Sequence, residues 1–271
     1  RKRWYGLQLY QGMNNNGYLA LTDLNKSNVS IENVLNYNTK LGSVATLDAT
    51  VGVTYDDYNF LNENTNGSQF TMFDLRENGL HMAGNVQHLA PIQKDYQLLS
   101  YLGRINLTFL DKYLITASLR ADGSSKFGKG NRWGYFPSAS VAWRMEQEEF
   151  LKRSRFGLNQ LKVRVSYGVT GNQSIDPYST FSMYGSDGNY HYGNGNGEQE
   201  SVLQITNLPN DGLTWEKTAS WNAGLDFSLL RSRLSGTFDF YVKRTNDLLI
   251  SRSLPGSAGF GSTYYNQGSL D

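Results

Sequence analysis

The chain lacks several features, and each absence excludes a class of protein. It contains no cysteine, which excludes a disulfide scaffold, a cysteine-ligated zinc site and thiol catalysis. Charged residues make up only 18 % of the chain and the net charge is +1, so we expect no nucleic-acid partner bound through phosphate neutralisation. The longest unbroken apolar run, Tyr18 to Leu21, has four residues, whereas a membrane-spanning helix needs about 20.

Aromatic residues, glycine and asparagine are abundant instead. Aromatic residues reach 13 %, which is too many for an intrinsically disordered chain. The 28 glycines and 26 asparagines favour turns over the interior of regular elements. This composition indicates either a chain that is largely loop or a chain of many strands joined by turns.

Apolar and polar residues alternate in much of the sequence, which favours strands over helices. In 161–169, for example, Leu161, Val163 and Val165 alternate with Lys162, Arg164 and Ser166. The clearest segments are 47–55, 99–109, 113–121, 135–143, 161–169, 221–229 and 234–242, and weaker ones lie at 4–10 and 31–41. The sequence therefore predicts an all-β protein of about nine or ten strands.

Short and long connections alternate along the chain. Tight turns are predicted at Gly42, Asp111 and Arg231, and the link 146–160 is somewhat longer, with one or two helical turns at 146–152. The other connections are long, at 11–28, 58–97, 123–132 and 171–213. An antiparallel up-and-down meander would place all the short links at one end and all the long loops at the other.

This asymmetry is typical of outer-membrane β-barrels, whose periplasmic turns are short and whose extracellular loops are long. The apolar parity would then face lipid and the polar parity would face the lumen. The alternative is a soluble β-sandwich whose alternation faces a core. The expected lipid-facing residues are Tyr101, Ile105, Leu107, Ile115, Leu119, Val141, Val163, Val165, Leu225, Phe227, Phe238 and Phe240. The expected lumen-facing residues are Arg104, Arg120, Lys162 and Arg164.

No motif in the sequence indicates catalysis, a cofactor or a metal. The segment 123–130 approaches a P-loop, but a strand and not a helix follows it, so we expect a flexible loop tip. His81 and His88 lie seven residues apart without a carboxylate motif, so no metal site is expected. We expect a protein that is not an enzyme and has no cofactor.

The loop 171–213 is the most plausible binding surface, because it combines aromatic rings with amide and carboxylate side chains. Rings stack on the apolar faces of sugars, and polar groups bond hydroxyls or amides. Alternatively, these aromatics only order the loop or pack on a neighbouring subunit. The candidate ligand-binding residues are Tyr184, Tyr190, His191 and Tyr192.

Several ordered motifs resemble those of SusC/RagA-type TonB-linked outer-membrane transporters. The resemblance is strong over residues 97–271 and looser over 28–57. It lies in Tyr113–Gly128, Asn131–Arg144, Glu149–Leu151, Leu161–Asn172, Leu213–Lys217, Leu225–Phe227, Arg233–Leu249 and Leu254–Pro255. It implies a transmembrane barrel in the outer membrane that imports an oligosaccharide or a peptide. It also implies energy from TonB acting through a plug, and a SusD-like surface lipoprotein as partner. The lumen-facing residues Arg104, Arg120, Lys162 and Arg164 would then line the substrate path or pair with carboxylates of the plug.

Family members resemble barrels of about 22 strands with a plugged lumen. We therefore expect residues 1–271 to be part of one such barrel, without the plug or the N-terminal domain. Two other functions stay open at this point. One is a soluble all-β carbohydrate-binding domain, which would refold without detergent. The other is a passive porin or adhesin barrel, which would have no plug and no TonB box.

Overall fold

The computed structural model describes residues 1–152, 158–193 and 199–271, and only the backbone at 152, 186–193 and 199–202. The described chain is mostly strand, with two short helices, α1 (Tyr10–Asn14) and α2 (Glu149–Lys152). The strands are β1 (Lys2–Tyr5), β2 (Tyr18–Leu41), β3 (Ala45–Phe70), β4 (Ala83–His88), β5 (Ile92–Phe109), β6 (Tyr113–Ser124), β7 (Trp133–Arg144), β8 (Gln160–Asn172), β9 (Tyr184–Gly193), β10 (Gln199–Ile205), β11 (Glu216–Leu229), β12 (Leu234–Asn246), β13 (Leu249–Ser253), β14 (Ser262–Asn266) and β15 (Ser269–Leu270).

One large sheet contains most of these strands, in the order β1-β2-β3-β5-β6-β7-β8-β11-β12-β15, with β4 also paired to β3. Two hairpins, β9–β10 and β13–β14, form separate two-stranded sheets. The strands of the large sheet lie beside one another in the order in which they occur along the chain, which confirms the predicted up-and-down meander. Among the described residues the strand order ends at β1 and β15, so the barrel is not closed.

The chain divides into two compact units. The first contains 1–29 and 56–96, and the second contains 30–55 and 97–271. In the first unit, the Trp4 ring meets the Phe70 ring edge-on at 4.8 Å, and Phe70 is buried. Gly17 closes this packing with φ of +83°, and a Cβ there would lie 2.9 Å from the Phe73 ring. In the second unit, β5 to β8, β11 and β12 pair in continuous antiparallel register.

The predicted tight turns are confirmed. β2 and β3 are separated by three residues around Gly42, which has φ of +66°. Leu110 and Asp111 adopt left-handed φ values of +53° and +55°, and Arg231 adopts +56°, as tight hairpins require. The predicted helical turns at 146–152 are also confirmed, as a 3-10 turn at Met145–Gln147 followed by α2.

Two predicted long loops are wrong in extent, because β2 and β3 run much further than the alternation indicated. β2 has 24 residues and β3 has 26, so most of 11–28 and the first part of 58–97 are strand. The reason is that hydrogen bonds between strand backbones form whether or not the side chains alternate between apolar and polar. The added segments are rich in Asn, Thr and Ser, so they show no such alternation. The strand expected at 4–10 is also shorter than predicted, since β1 ends at Tyr5 and α1 begins at Tyr10.

A search of the described residues finds no helix with the length and hydropathy to cross a bilayer.

Candidate functional site

The cross-strand register gathers the apolar parity on one face of the sheet in the second unit. Ile115 lies opposite Val141, Val141 opposite Val165, and Val165 opposite Ala223, which lies opposite Phe240. The same register puts all twelve residues of the expected lipid-facing set on this face, which we call the apolar face. Many of its side chains are solvent-exposed, including Ile105 at 53 % and Phe240 at 69 %. An exposed apolar surface that spans six strands needs a membrane or a protein to cover it.

Aromatic rings lie on the apolar face near both ends of its strands. At the end with the short turns, Tyr113 and Trp143 lie opposite one another with stacked rings 6.3 Å apart. At the end with the long connections, Tyr101 stacks on Trp133 at 5.8 Å, and Tyr135 is exposed. Two such aromatic rows bounding an apolar band are typical of the two interfaces of a membrane barrel.

The opposite face is polar and satisfies much of its own charge. Arg120 Nε donates to Asp122 Oδ1 at 2.7 Å, and Arg120 Nη2 donates to Ser100 Oγ at 3.1 Å. Arg164 Nη2 donates to Asp239 at 2.6 Å, and Arg164 Nε lies 3.4 Å from Asp226.

These pairs bear on the expectation that the basic residues pair with a plug. The structure places Asp122 of the same strand beside Arg120, and Asp226 of β11 and Asp239 of β12 beside Arg164. Lys162 lies opposite Asp226 in the register and so shares their face, as does Arg104 by its position in β5. Sequence analysis missed the partners of Arg164 because they depend on strand register, which brings Arg164 to a residue 75 positions away.

A small aromatic core lies where the long connections leave the sheet. It consists of Phe127, Phe136, Ile175, Leu213 and Trp215, all buried, and we call it the collar core. The Trp215 ring lies 5.1 Å from Phe127 and 5.4 Å from Phe136. Pairing between β7 and β8 stops at Ser138 and Gly168, and the Phe136 ring fills the space beyond. A Cβ at Gly171 would lie 2.1 Å from that ring, so only glycine fits there.

Polar bonds fix the connections around the collar core. Trp215 Nε1 donates to the Arg132 carbonyl at 2.9 Å, and the Thr180 hydroxyl donates to the Lys126 carbonyl at 3.2 Å. The expectation that 123–130 is a flexible loop tip is therefore wrong, since Phe127 is fully buried. The two ends of 171–213 are likewise packed, because Ile175 and Leu213 belong to the collar core. The glycine spacing of 123–130 suggested mobility, but one buried phenylalanine anchors the segment.

The middle of 171–213 is the hairpin β9–β10. At its base, Asn207 donates to the Phe181 carbonyl at 2.8 Å and accepts from the Met183 amide at 2.7 Å. Tyr184, one of the four candidate ligand-binding residues, lies opposite Ile205 and is 70 % exposed. Tyr190, His191 and Tyr192 lie in β9, but their side chains are outside the described part. Their role as ligand contacts stays a prediction.

A second polar cluster lies at the end with the short turns, and sequence analysis did not find it. Glu148 accepts hydrogen bonds from Lys112 Nζ at 2.9 Å, Tyr113 Oη at 3.0 Å and Trp143 Nε1 at 3.2 Å. We call Lys112, Tyr113, Trp143 and Glu148 the clasp. The hydrogen bond from Lys112 is the main cause that lowers the pKa of Glu148, and the same bond raises the pKa of Lys112. The clasp ties the β5–β6 turn to the β7–β8 link.

Among the described residues, no group of three or more His, Asp and Glu side chains is arranged to hold a metal ion. The features that the structure does describe are the apolar face, the polar face, the collar core with its hairpin, and the clasp.

Comparison with known proteins agrees with this architecture. A family model described as TonB dependent receptor-like, beta-barrel, matches residues 2–270. The chain is 34 % identical over 247 residues to TonB-dependent receptor P3 of Formosa agariphila, covering 91 % of this chain and 24 % of that protein. It is 41 % identical over 180 residues to TonB-dependent receptor SusC of Bacteroides thetaiotaomicron, covering 64 % and 17 %.

A solved structure described as the RagAB peptide transporter superposes with a TM-score of 0.81 at 29 % identity, covering 93 % of this chain and 27 % of that one. The chain thus spans a quarter or less of the curated relatives just described. The relatives are named as receptors and transporters, not as enzymes. The chain belongs to the β-barrel family of TonB-dependent receptors, and its relatives of the SusC/RagA type are transporters of the outer membrane.

Proposed function

We propose that residues 1–271 are part of the barrel wall of an outer-membrane transporter that imports an oligosaccharide or a peptide. In this proposal a plug coupled to TonB, which lies outside the chain, supplies the energy. A SusD-like surface lipoprotein covers the long connections. The observation that carries the proposal is the two-faced sheet, with an exposed apolar face bounded by aromatic rows and a polar face of internally paired charges. A soluble domain would have to hide the apolar face.

In this placement the apolar face contacts lipid, and Arg104, Arg120, Lys162 and Arg164 face the lumen or the plug. The short turns lie in the periplasm and the hairpin β9–β10 lies outside the cell. The hairpin suits contact with substrate or lipoprotein, because its base is fixed by Asn207 and its described end exposes Tyr184 and Leu203. A two-stranded sheet alone is marginal in water, so a partner surface would stabilise it.

Deletion of 186–200 from the full-length receptor tests this role. The packed ends of 171–213 stay intact, so the barrel should still assemble, as judged by the heat-dependent shift in gel mobility. We expect weaker growth on the cognate nutrient, supplied in parallel as oligosaccharide and as peptide, or weaker co-purification of the lipoprotein. Unchanged growth together with unchanged co-purification would remove the hairpin from the proposal. Loss of uptake on deletion of TonB distinguishes active import from a passive pore.

A matched pair of tyrosine variants sharpens the test. Tyr184→Ala removes an exposed ring from the hairpin, and Tyr135→Ala removes an exposed ring from the apolar face. If the hairpin contacts substrate or lipoprotein, only the Tyr184 variant should impair capture. Equal impairment would mean that the loss reflects barrel damage.

A further inference from the structure

The link between β7 and β8 folds towards the apolar face and not towards the polar one. Tyr113 and Trp143 both belong to the apolar face, where they lie opposite one another. Their polar atoms both donate to the same oxygen of Glu148, at 3.0 and 3.2 Å. A carboxylate that reaches both side chains must lie on their side of the sheet. The clasp therefore holds the link against the rim of the apolar face.

Helix α2 follows immediately from this fixed point. The amide of Leu151 donates to the Glu148 carbonyl at 3.0 Å, which places the first helical turn beside the clasp. Phe150 is only two residues from Glu148, and 67 % of it is exposed. An exposed phenylalanine thus lies two residues after the carboxylate that is fixed at the rim of the apolar face.

We propose that α2 is a membrane-surface anchor in which Phe150 inserts into the phospholipid leaflet on the side of the short turns. The inference rests on the proposed placement of the apolar face in the bilayer. The partner is the boundary between headgroups and acyl chains, because Tyr113 and Trp143 present the amphipathic rings that favour this level. At the same level, the ionised Lys112 and Glu148 remain in contact with headgroups and water. Interfacial amphipathic helices bury their apolar residues at this depth.

A lipid occupant is favoured over a protein by continuity. Glu148, from which α2 begins, is held at the rim of the apolar face, and the proposed function places that face in lipid. The anchor would fix the depth at which this end of the wall rests in the membrane.

The test uses the full-length receptor in phospholipid vesicles, with an environment-sensitive fluorophore on a single introduced cysteine. The labelled positions are Phe150 in α2, Phe238 in the apolar face, and Ser43 in the short turn between β2 and β3. Each is quenched separately by lipids with a nitroxide near the headgroup and by aqueous iodide. For Phe150 we expect lipid quenching to exceed iodide quenching by about threefold or more, as for a side chain at the acyl boundary. Ser43 should show the reverse.

The outcomes separate the inference from the function on which it rests. If lipid quenches neither Phe238 nor Phe150, the placement of the apolar face in the bilayer fails. If lipid quenches Phe238 but Phe150 behaves like Ser43, the anchor is overturned. Protection of Phe150 from both quenchers would also overturn it, because another protein surface would then cover the ring. Glu148→Ala should release α2 and raise iodide quenching at Phe150 severalfold, and an unchanged ratio would refute the role of the clasp.

Discussion

Substitution of arginine into the two faces of β8 tests the assignment of lipid and lumen. Val165 lies on the apolar face opposite Val141, and Ser166, the next residue, lies on the polar face opposite Ser140. In the full-length receptor, Val165→Arg should destabilise the folded barrel far more than Ser166→Arg. The two substitutions add the same side chain one position apart, so they differ mainly in the face that receives it.

The expected magnitude follows from depth. On β7, eight residues separate Tyr135 from Trp143, which is about 26 Å along a strand and about 20 Å of depth at a tilt of about 40°. Val165 lies level with Val141, two residues from the Trp143 row and so off the centre of the band. Ile105 lies opposite Ala117, four residues from Tyr101 and close to the centre.

Arginine costs about 2–4 kcal/mol at the bilayer midplane and about 0–1 kcal/mol near the interfaces. We therefore expect about 2–4 kcal/mol for Ile105→Arg and about 1–2 kcal/mol for Val165→Arg. A surface-like change of about 0.5 kcal/mol is expected for Ser166→Arg. The assay is urea unfolding in vesicles, followed by the gel mobility of the folded barrel. Equal losses for Val165→Arg and Ser166→Arg would refute the parity assignment.

Three further predictions concern the collar core, the topology and the clasp. Phe127→Ala should lower the free energy of unfolding by about 3–5 kcal/mol in the same assay. The control Phe181→Ala, at an exposed ring, should lower it by less than about 1 kcal/mol, and similar losses for the two variants would argue against the collar core. An epitope tag at Asp111 should stay hidden on intact cells and one at Gly195 should be accessible, unless a partner covers it; the reverse pattern would invert the topology. The clasp should open at acid pH. Because its pKa is lowered in the folded protein, Glu148 stabilises the clasp at pH values above the ordinary carboxyl pKa, and this stabilisation is lost as the pH falls through the lowered pKa. At alkaline pH, Lys112 stabilises the clasp until the pH rises through its raised pKa, where the ammonium group loses its proton. Iodide quenching of a Phe150 label across pH checks both limits, and a flat profile would contradict the assigned bonds.

The strands from β5 to β12 that form the large sheet could be predicted from the sequence for a definite physical reason. In each of these strands the side chains on the apolar face alternate with those on the polar face, so the alternation appears in the sequence itself. The outer parts of β2 and β3 carry polar side chains on both parities. Hydrophobic periodicity cannot detect such segments, although their backbone forms the same inter-strand hydrogen bonds as the rest of the sheet.

The collar core and the clasp could not be predicted because each depends on residues that only the fold brings together. Gly171 looks like any turn glycine in the sequence, and its meaning lies in the Phe136 ring beside it. Glu148 stands in a run of acidic residues that reads as a solvated face. What distinguishes Glu148 is that it accepts hydrogen bonds from three side chains, two of which belong to strands that pair only in the folded sheet.

The paired charges on the polar face also bear on how a transporter of this kind would select its cargo. Arg164 lies 3.4 Å from Asp226 and 2.6 Å from Asp239, so its positive charge is offset within the wall. Lys162 lies opposite Asp226 on β11 and opposite Arg144 on β7. A net field that attracts or repels a charged substrate requires unbalanced charge, so the paired Arg164 contributes little to such a field. Because Arg164 already has carboxylate partners on β11 and β12, it needs no plug carboxylate to offset its desolvation. In the proposed function, selection of the cargo would therefore depend on groups other than Arg164, among them the connections above the sheet, where the hairpin exposes Tyr184 on a base fixed by Asn207.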